Sequence, residues 1–185
     1  PDLRNGHGYD ADVGMRGAPI RGVTASLTGF YLVYDHREGL FSQVDSTTGS
    51  TFTELATVGN SESKGVEGYA TVAPFVTVGP SNPLAGLSFF DAVAYDDSHY
   101  VTGAFDGHWV ERAPVWINRG GIAYAFGPGS TTLQVATQSQ SFTDANNTIR
   151  SPDDAGVGVI PGYTVLDWTS ELRFARHYRA WFAIN

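Results

Sequence analysis

Apolar and polar residues alternate with a period of two along much of the chain, and a helical period is hard to find anywhere. The alternation is cleanest over Ser130–Ser141, where Leu133, Val135 and Thr137 occupy one face and Gln134, Gln138 and Gln140 the other. Over Tyr163–Phe174, the residues Thr164, Leu166, Trp168, Ser170, Leu172 and Phe174 make a mostly apolar face opposite Asp167, Glu171 and Arg173. In the last segment Tyr178, Ala180, Phe182 and Ile184 oppose Arg179, Trp181 and Asn185. Less regular strands are expected over Val23–Asp35, Gly65–Ala73 and Leu87–Tyr95, with further candidates at Tyr9–Arg16, Trp116–Phe126 and Ser50–Val58. The pattern predicts about eight strands, several of about 9–13 residues. Soluble sheets average about 5–6 residues per strand, whereas a tilted membrane-spanning strand needs about 9–11.

The connections alternate in length. Arg16–Gly22, Gly127–Gly129 and Ala175–His177 read as tight turns, Val76–Gly86 as intermediate, and Leu40–Asn60, Asp96–Pro114 and Phe142–Gly162 as long polar loops. Short turns on one side and long loops on the other are the arrangement of an outer-membrane barrel. Tyr31, Tyr34, Tyr95, Trp116, Phe126, Phe142, Tyr163, Phe174 and Tyr178 fall at strand ends, where an interfacial aromatic girdle would lie.

Composition sharpens this picture. Charged residues make up 16% and aromatics 13%, with 22 glycines, whereas soluble domains carry about 25% charged residues. No apolar run reaches the roughly 20 residues of a transmembrane helix. A net charge of -8 argues against a nucleic-acid partner. Cysteine is absent, which removes disulfides, thiolate metal sites and cysteine nucleophiles. The five histidines show no HxH or HxxxH spacing, and no Gly-x-Ser-x-Gly elbow occurs. Asp10/Asp12, Asp96-Asp97 and Asp153-Asp154 lack the spacing of a calcium loop. The chain is therefore expected to be no enzyme and to hold no metal or cofactor.

Several blocks resemble the C-terminal barrel half of TonB-dependent outer-membrane receptors of the ferric-dicitrate type. They are Arg16-Gly17-Ala18-Pro19 followed by Gly29-Phe30-Tyr31-Leu32-Val33-Tyr34-Asp35, and Val58-Gly59 leading into Lys64-Gly65-Val66-Glu67. Glu111-Arg112-Ala113-Pro114-Val115-Trp116-Ile117-Asn118-Arg119-Gly120 and Phe142-Thr143-Asp144-Ala145-Asn146-Asn147-Thr148 with Val159-Ile160-Pro161-Gly162-Tyr163 complete the set. On physical grounds Gly65 is expected to let a loop backbone turn sharply, Glu67 to face a wet lumen, and Pro114 to open a strand.

The resemblance implies an all-β, antiparallel, up-and-down transmembrane β-barrel with about 22 strands, of which residues 1–185 supply about eight and no plug domain. It also implies a receptor in bacterial outer-membrane lipid that carries a ferric chelate, ferric dicitrate or a siderophore. The TonB complex would drive it through the plug. The alternatives are a small closed barrel with a structural or adhesin role, and a soluble β-sandwich that binds carbohydrate through aromatics such as Trp109. The glutamine face of Ser130–Ser141 speaks against the sandwich, whose core face should be apolar. Within the loops, Arg37, His108, Arg112 and Arg150 are the candidates for contact with an anionic chelate, because guanidinium groups grip carboxylates in bidentate fashion. Loop salt bridges are the plainer use of the same side chains.

Overall fold

The structure is a computed structural model and describes residues 5–79, 81–150, 156–174 and 177–185. Its strands are β1 (His7–Ile20), β2 (Val23–Val44), β3 (Thr51–Val72), β4 (Leu87–Tyr100), β5 (Trp116–Phe126), β6 (Gly129–Gln138), β7 (Ser141–Phe142), β8 (Val159–Ile160), β9 (Tyr163–Phe174) and β10 (Tyr178–Ile184). Eight of them form one antiparallel sheet in the order β1-β2-β3-β4-β5-β6-β9-β10, and the short β7 and β8 pair separately. Apart from the step over that small pair, each strand lies beside its neighbour in sequence, which makes an up-and-down meander. Among the described residues there is no helix.

The register sorts side chains onto two faces, because successive residues of a strand point to opposite sides. One face collects Val13 and Met15 of β1, Leu27 and Tyr31 of β2, Val66 and Val72 of β3, and Phe89 and Tyr95 of β4. It continues through Trp116 and Ile122, Leu133 and Val135, Leu166 and Trp168, to Phe182 and Ile184. Most of these large apolar side chains are exposed, Met15 at 75% and Leu166 at 57%. The opposite face carries Asp10, Asp12, Arg16, Ser26, Glu67, Arg119, Gln134 and Asp167. A sheet with its apolar side bare across eight strands is unsuited to water and suited to lipid. The 11 residues of β5 cover about 33 Å at about 3.3 Å per step, or about 25 Å of membrane thickness at a tilt of about 40°.

Aromatic residues bound this apolar band at both ends. Tyr124 and Phe126 stack at 5.7 Å, as do Phe174 and Tyr178, beside the tight turns. Tyr95 and Trp116 meet at 4.8 Å at the opposite limit. Three of the expected girdle residues lie elsewhere. Tyr34 pairs with Gly8 and Tyr163 with Gln138, both on the polar face, and Phe142 belongs to β7. Position near a strand end does not fix the face; parity does.

The boundaries also differ from the sequence reading. Leu40–Asn60 is not a loop: β2 and β3 each run 22 residues and pair as far as Val44 with Thr51. The β-branched run Thr51, Thr53, Thr57 and Val58 favours extended backbone there. The connection shrinks to a turn in which Asp45 accepts from the Thr47 N–H at 2.8 Å and from the Thr48 hydroxyl at 2.9 Å. These hydrogen bonds hold the exposed Asp45 carboxyl below its ordinary pKa, the Thr47 bond contributing most. The turn expected at Ala175–His177 lies mostly outside the described residues, but Tyr178 pairs with Phe174 across it.

Gly65 is not at a turn. It lies mid-strand opposite Phe30 on the polar face, and a Cβ there would collide with the Tyr95 carbonyl oxygen and the Phe30 ring. Phe90 covers Gly121 in the same way. Aromatic rings laid over cross-strand glycines restore packing that glycine forfeits.

Candidate functional site

Beyond the Tyr95–Trp116 end of the band, the extensions of β2 and β3, the 101–115 connection and the described parts of the next connection, 139–149 and 156–162, fold into one layer. Its centre is the apolar cluster Val58, Tyr100, Val110 and Ala145, with Phe41, Phe105 and Ala113 packed against it. Tyr100 continues the polar-face series Ala94, Asp96 and Ser98 of β4, so the layer stands on the polar side of the sheet. Only here do the described residues bury an apolar cluster; the sheet below has none.

Polar bonds tie the three loops together. The Ala145 N–H donates to the Leu40 carbonyl at 2.7 Å, and the Arg112 N–H to the Phe142 carbonyl at 2.7 Å. Asn146 Oδ1 accepts from the Ser42 N–H at 2.8 Å. Asn147 accepts from the Trp109 N–H at 2.7 Å and donates to the Trp109 carbonyl at 2.8 Å, acting as a one-residue strand partner. Its backbone has φ of 54°, a region asparagine tolerates better than most residues. Fully buried Asp144 accepts from the N–H and hydroxyl of Thr148 at 3.2 and 2.7 Å, which closes the turn.

The four candidate side chains fare differently. Arg37 is half-buried, lies 5.9 Å from the Tyr34 ring and reaches the Tyr100 hydroxyl, while its Nε is buried without a hydrogen-bond partner among the described residues. Tyr100 donates to Glu111 Oε2 at 2.5 Å. Burial, followed by that hydrogen bond, pushes the Tyr100 phenol well above its ordinary pKa. Gly39 makes room for the pair, since a Cβ there would lie 2.8 Å from both the Glu111 carboxylate and the Tyr100 hydroxyl. His108 Nδ1 meets the Ala145 carbonyl at 2.8 Å; a carbonyl only accepts, so Nδ1 carries the proton. Arg112, at φ of 59°, contributes its backbone to the layer and exposes its side chain. Arg150 is exposed beyond the layer.

The structure thus brings Arg37, His108 and Arg112 onto one layer and leaves Arg150 outside it. Tyr100, Glu111, Asp144 and Asn147 were missed by the sequence reading. Only Asn146-Asn147 carried a signal, as residues suited to left-handed turns.

The family described as "TonB dependent receptor-like, beta-barrel" matches residues 1–185. The chain belongs to the TonB-dependent receptor β-barrel family. Members of this receptor family form outer-membrane barrels of bacteria, and the antiparallel meander with one apolar face agrees with that class. Among solved structures, the unliganded ferric citrate transporter FecA superposes with a TM-score of 0.72 at 21% identity, covering 92% of this chain and 24% of that one. The copper transporter OprC gives a TM-score of 0.68 at 14% identity, with 96% and 25% covered. The ferric yersiniabactin uptake receptor FyuA from Yersinia pestis gives 0.62 at 17%, with 90% and 22% covered. At these identities the likeness shows the receptor fold, and the chain spans about a quarter of each relative's length. No curated protein matches the chain in a sequence comparison.

Proposed function

We propose that residues 1–185 form part of the wall and the outer loops of a TonB-dependent outer-membrane transporter that takes up an anionic ferric chelate, of the ferric-dicitrate or siderophore type. One observation carries the reading: the outer loops gather on the polar side of the wall and bring Arg37, His108 and Arg112 to the mouth of the prospective lumen. In the intact receptor a plug supplied by another part of the molecule would couple the barrel to the TonB complex. The role of this segment is to bind and to shape a passage, and catalysis has no part in it.

Within this layer Arg37 is the leading contact for a chelate carboxylate. Its guanidinium is held by the Tyr34 ring and the Tyr100 hydroxyl, on a side chain that is only half-buried. Arg112 and Arg150 are expected to attract the chelate from a distance, and His108 to act through the loop it fastens. A chelate fits these residues better than a bare metal ion does. Among the described residues no group of three His, Asp or Glu side chains could hold a metal, and Met15, the one methionine, is on the apolar face.

The test is binding and uptake of ferric dicitrate and a panel of ferric siderophores by the intact receptor. Arg37→Gln should weaken binding of the cognate chelate by roughly tenfold or more, the value of one charge-assisted hydrogen bond of about 1.5–3 kcal/mol. Arg150→Gln should change it by less than about threefold at moderate salt. Full affinity in Arg37→Gln would remove Arg37 from the site, and a receptor that takes up none of the chelates would remove the substrate class.

A further inference from the structure

We infer that the membrane-facing side of this wall pairs with a second copy of the receptor through Asp91 and Asn118. The inference rests on the outer-membrane reading above and concerns the side of the sheet turned away from the chelate site.

Parity and register set the location. Asp91 shares its face of β4 with Phe89 and Tyr95, and Asn118 its face of β5 with Trp116 and Ile122. Asp91 pairs with Gly120, four residues from the Tyr95–Trp116 rung and four from the Leu87–Tyr124 rung. Each aromatic limit is then about 13 Å away along the strand, or about 10 Å in depth at a tilt of about 40°. An exposed carboxyl therefore stands in the middle of the lipid-facing band. Ionisable side chains at this depth are costly and normally turn to a wet lumen or a polar partner, so one turned to lipid points to a function.

The two side chains are neighbours and leave complementary atoms over. Asn118 Nδ2 donates to Asp91 Oδ1 at 3.0 Å and Oδ2 at 3.2 Å, and to the Ala92 carbonyl at 3.2 Å. Both of its hydrogens are thereby used, and among the described residues nothing donates to Asn118 Oδ1. Hydrocarbon accommodates a carboxyl as the neutral acid, whose O–H then needs an acceptor that a lipid chain cannot supply. Each copy so presents one spare donor beside one spare acceptor. A two-fold axis along the membrane normal, passing between β4 and β5, exchanges them. The Asp91 O–H of each copy then donates to Asn118 Oδ1 of the other, an isologous contact that closes a dimer.

The surface around the pair lets two walls approach. Gly120 lies under Asp91, where a Cβ would be 2.5 Å from Oδ1. On β3, Ala70 and Gly68 stand opposite Asp91 and Val93. Small residues beside polar ones bring membrane-spanning elements close enough to hydrogen-bond. A second copy suits this patch because its donor and acceptor, side by side, already match themselves under rotation. An internal pair would account for the bonds between Asp91 and Asn118. It would not account for both being turned toward lipid with hydrogen-bonding capacity left over.

The experiment uses the intact receptor, labelled in separate donor and acceptor batches and reconstituted into phosphatidylethanolamine–phosphatidylglycerol vesicles. Energy transfer is read against the protein-to-lipid ratio. Transfer in the wild type should rise with density as a monomer–dimer equilibrium, and unlabelled receptor should compete it away. Asp91→Leu and Asn118→Leu should each weaken association by about tenfold or more, because both bonds between the copies are lost in a medium that offers no others. Asp91→Asn, whose amide can still donate to Asn118 Oδ1, should stay within about threefold of the wild type. Ala70→Leu should weaken association with the polar pair intact. Heat-modifiable gel mobility confirms that each barrel is folded; if Asn118→Leu fails that test, Asp91→Leu decides. A folded wild type that stays monomeric at every density would overturn the dimer and leave the pair to lipid or to a different protein. Folded Asp91→Leu that associates as the wild type does would overturn it too. A receptor recovered outside the outer-membrane fraction would instead overturn the location on which the inference depends.

Discussion

Replacing Asn147 by alanine should open the outer loop layer without disturbing the wall. The side chain supplies both hydrogen bonds of the Trp109 backbone, at 2.7 and 2.8 Å. Losing them costs about 1 kcal/mol each, and more where the stranded groups stay out of water. Alanine must also occupy φ of 54°, which adds about 1 kcal/mol. The sum is about 3 kcal/mol, or about a hundredfold in the opening equilibrium. Hydrogen exchange on the intact receptor reads this directly, because locally open states exchange first. Amides of 99–111 and 141–149 should exchange about a hundredfold faster, while those of β5 and β6 keep their rates. Asn147→Gly takes the left-handed backbone without strain, so it should show only the hydrogen-bond loss, about thirtyfold. Unchanged loop exchange would refute the staple, and equal acceleration in β6 would refute a layer that opens independently of the wall.

Three further outcomes follow from the same geometry. Gly65→Ala should destabilise the folded receptor by about 1–3 kcal/mol through collision with Phe30 and the Tyr95 carbonyl. Gly29→Ala, whose Cβ would find nothing nearer than 3.8 Å, should stay within about 0.5 kcal/mol; urea titration in vesicles compares the two. Tyr100 has a folded pKa above its unfolded value, so its contribution is constant below about pH 10 and declines as pH rises past the unfolded pKa. Exchange protection of the loop layer, followed from pH 7 to 11 after correction for the intrinsic rate, should show that decline, and Tyr100→Phe should abolish it. Arg112→Gln should leave loop exchange unchanged, because that residue holds the layer through its backbone N–H; faster exchange would give its side chain a structural part.

What the sequence made legible was governed by short-range periodicity. The two faces of β6 and β9 follow from alternation alone, and their observed register keeps Leu133, Val135, Leu166 and Trp168 together. Even the span Trp116–Phe126 emerges unchanged. Of the hairpin extension over Leu40–Asn60, only Ser50–Val58 reads as a strand candidate, because apolar residues such as Leu40, Phe41, Phe52, Leu55 and Val58 fall on both faces and leave no clean period. Tyr34 and Tyr163 were misassigned because an aromatic near a strand end suits either face, and only cross-strand pairing decides. The loop layer was the least legible part. Arg37 reaches Tyr100 across tens of positions, and Tyr100 meets Glu111 at a separation of 11 residues, contacts that no local pattern encodes. Asn147 reads in sequence as a solvated loop residue and in the structure as the clamp on Trp109.

The central claim is that the apolar face of this sheet meets lipid and the polar face meets water. A lysine placed on each face of one strand tests it most directly. Val135 lies in the apolar band, 42% exposed, while the adjacent Gln134 faces the other way and donates to Asp167 at 3.2 Å. Val135→Lys should destabilise the receptor by about 2–4 kcal/mol in lipid vesicles, and Gln134→Lys, with Asp167 to pair with, by less than about 1 kcal/mol. Equal costs, or a larger cost for Gln134→Lys, would contradict the membrane wall.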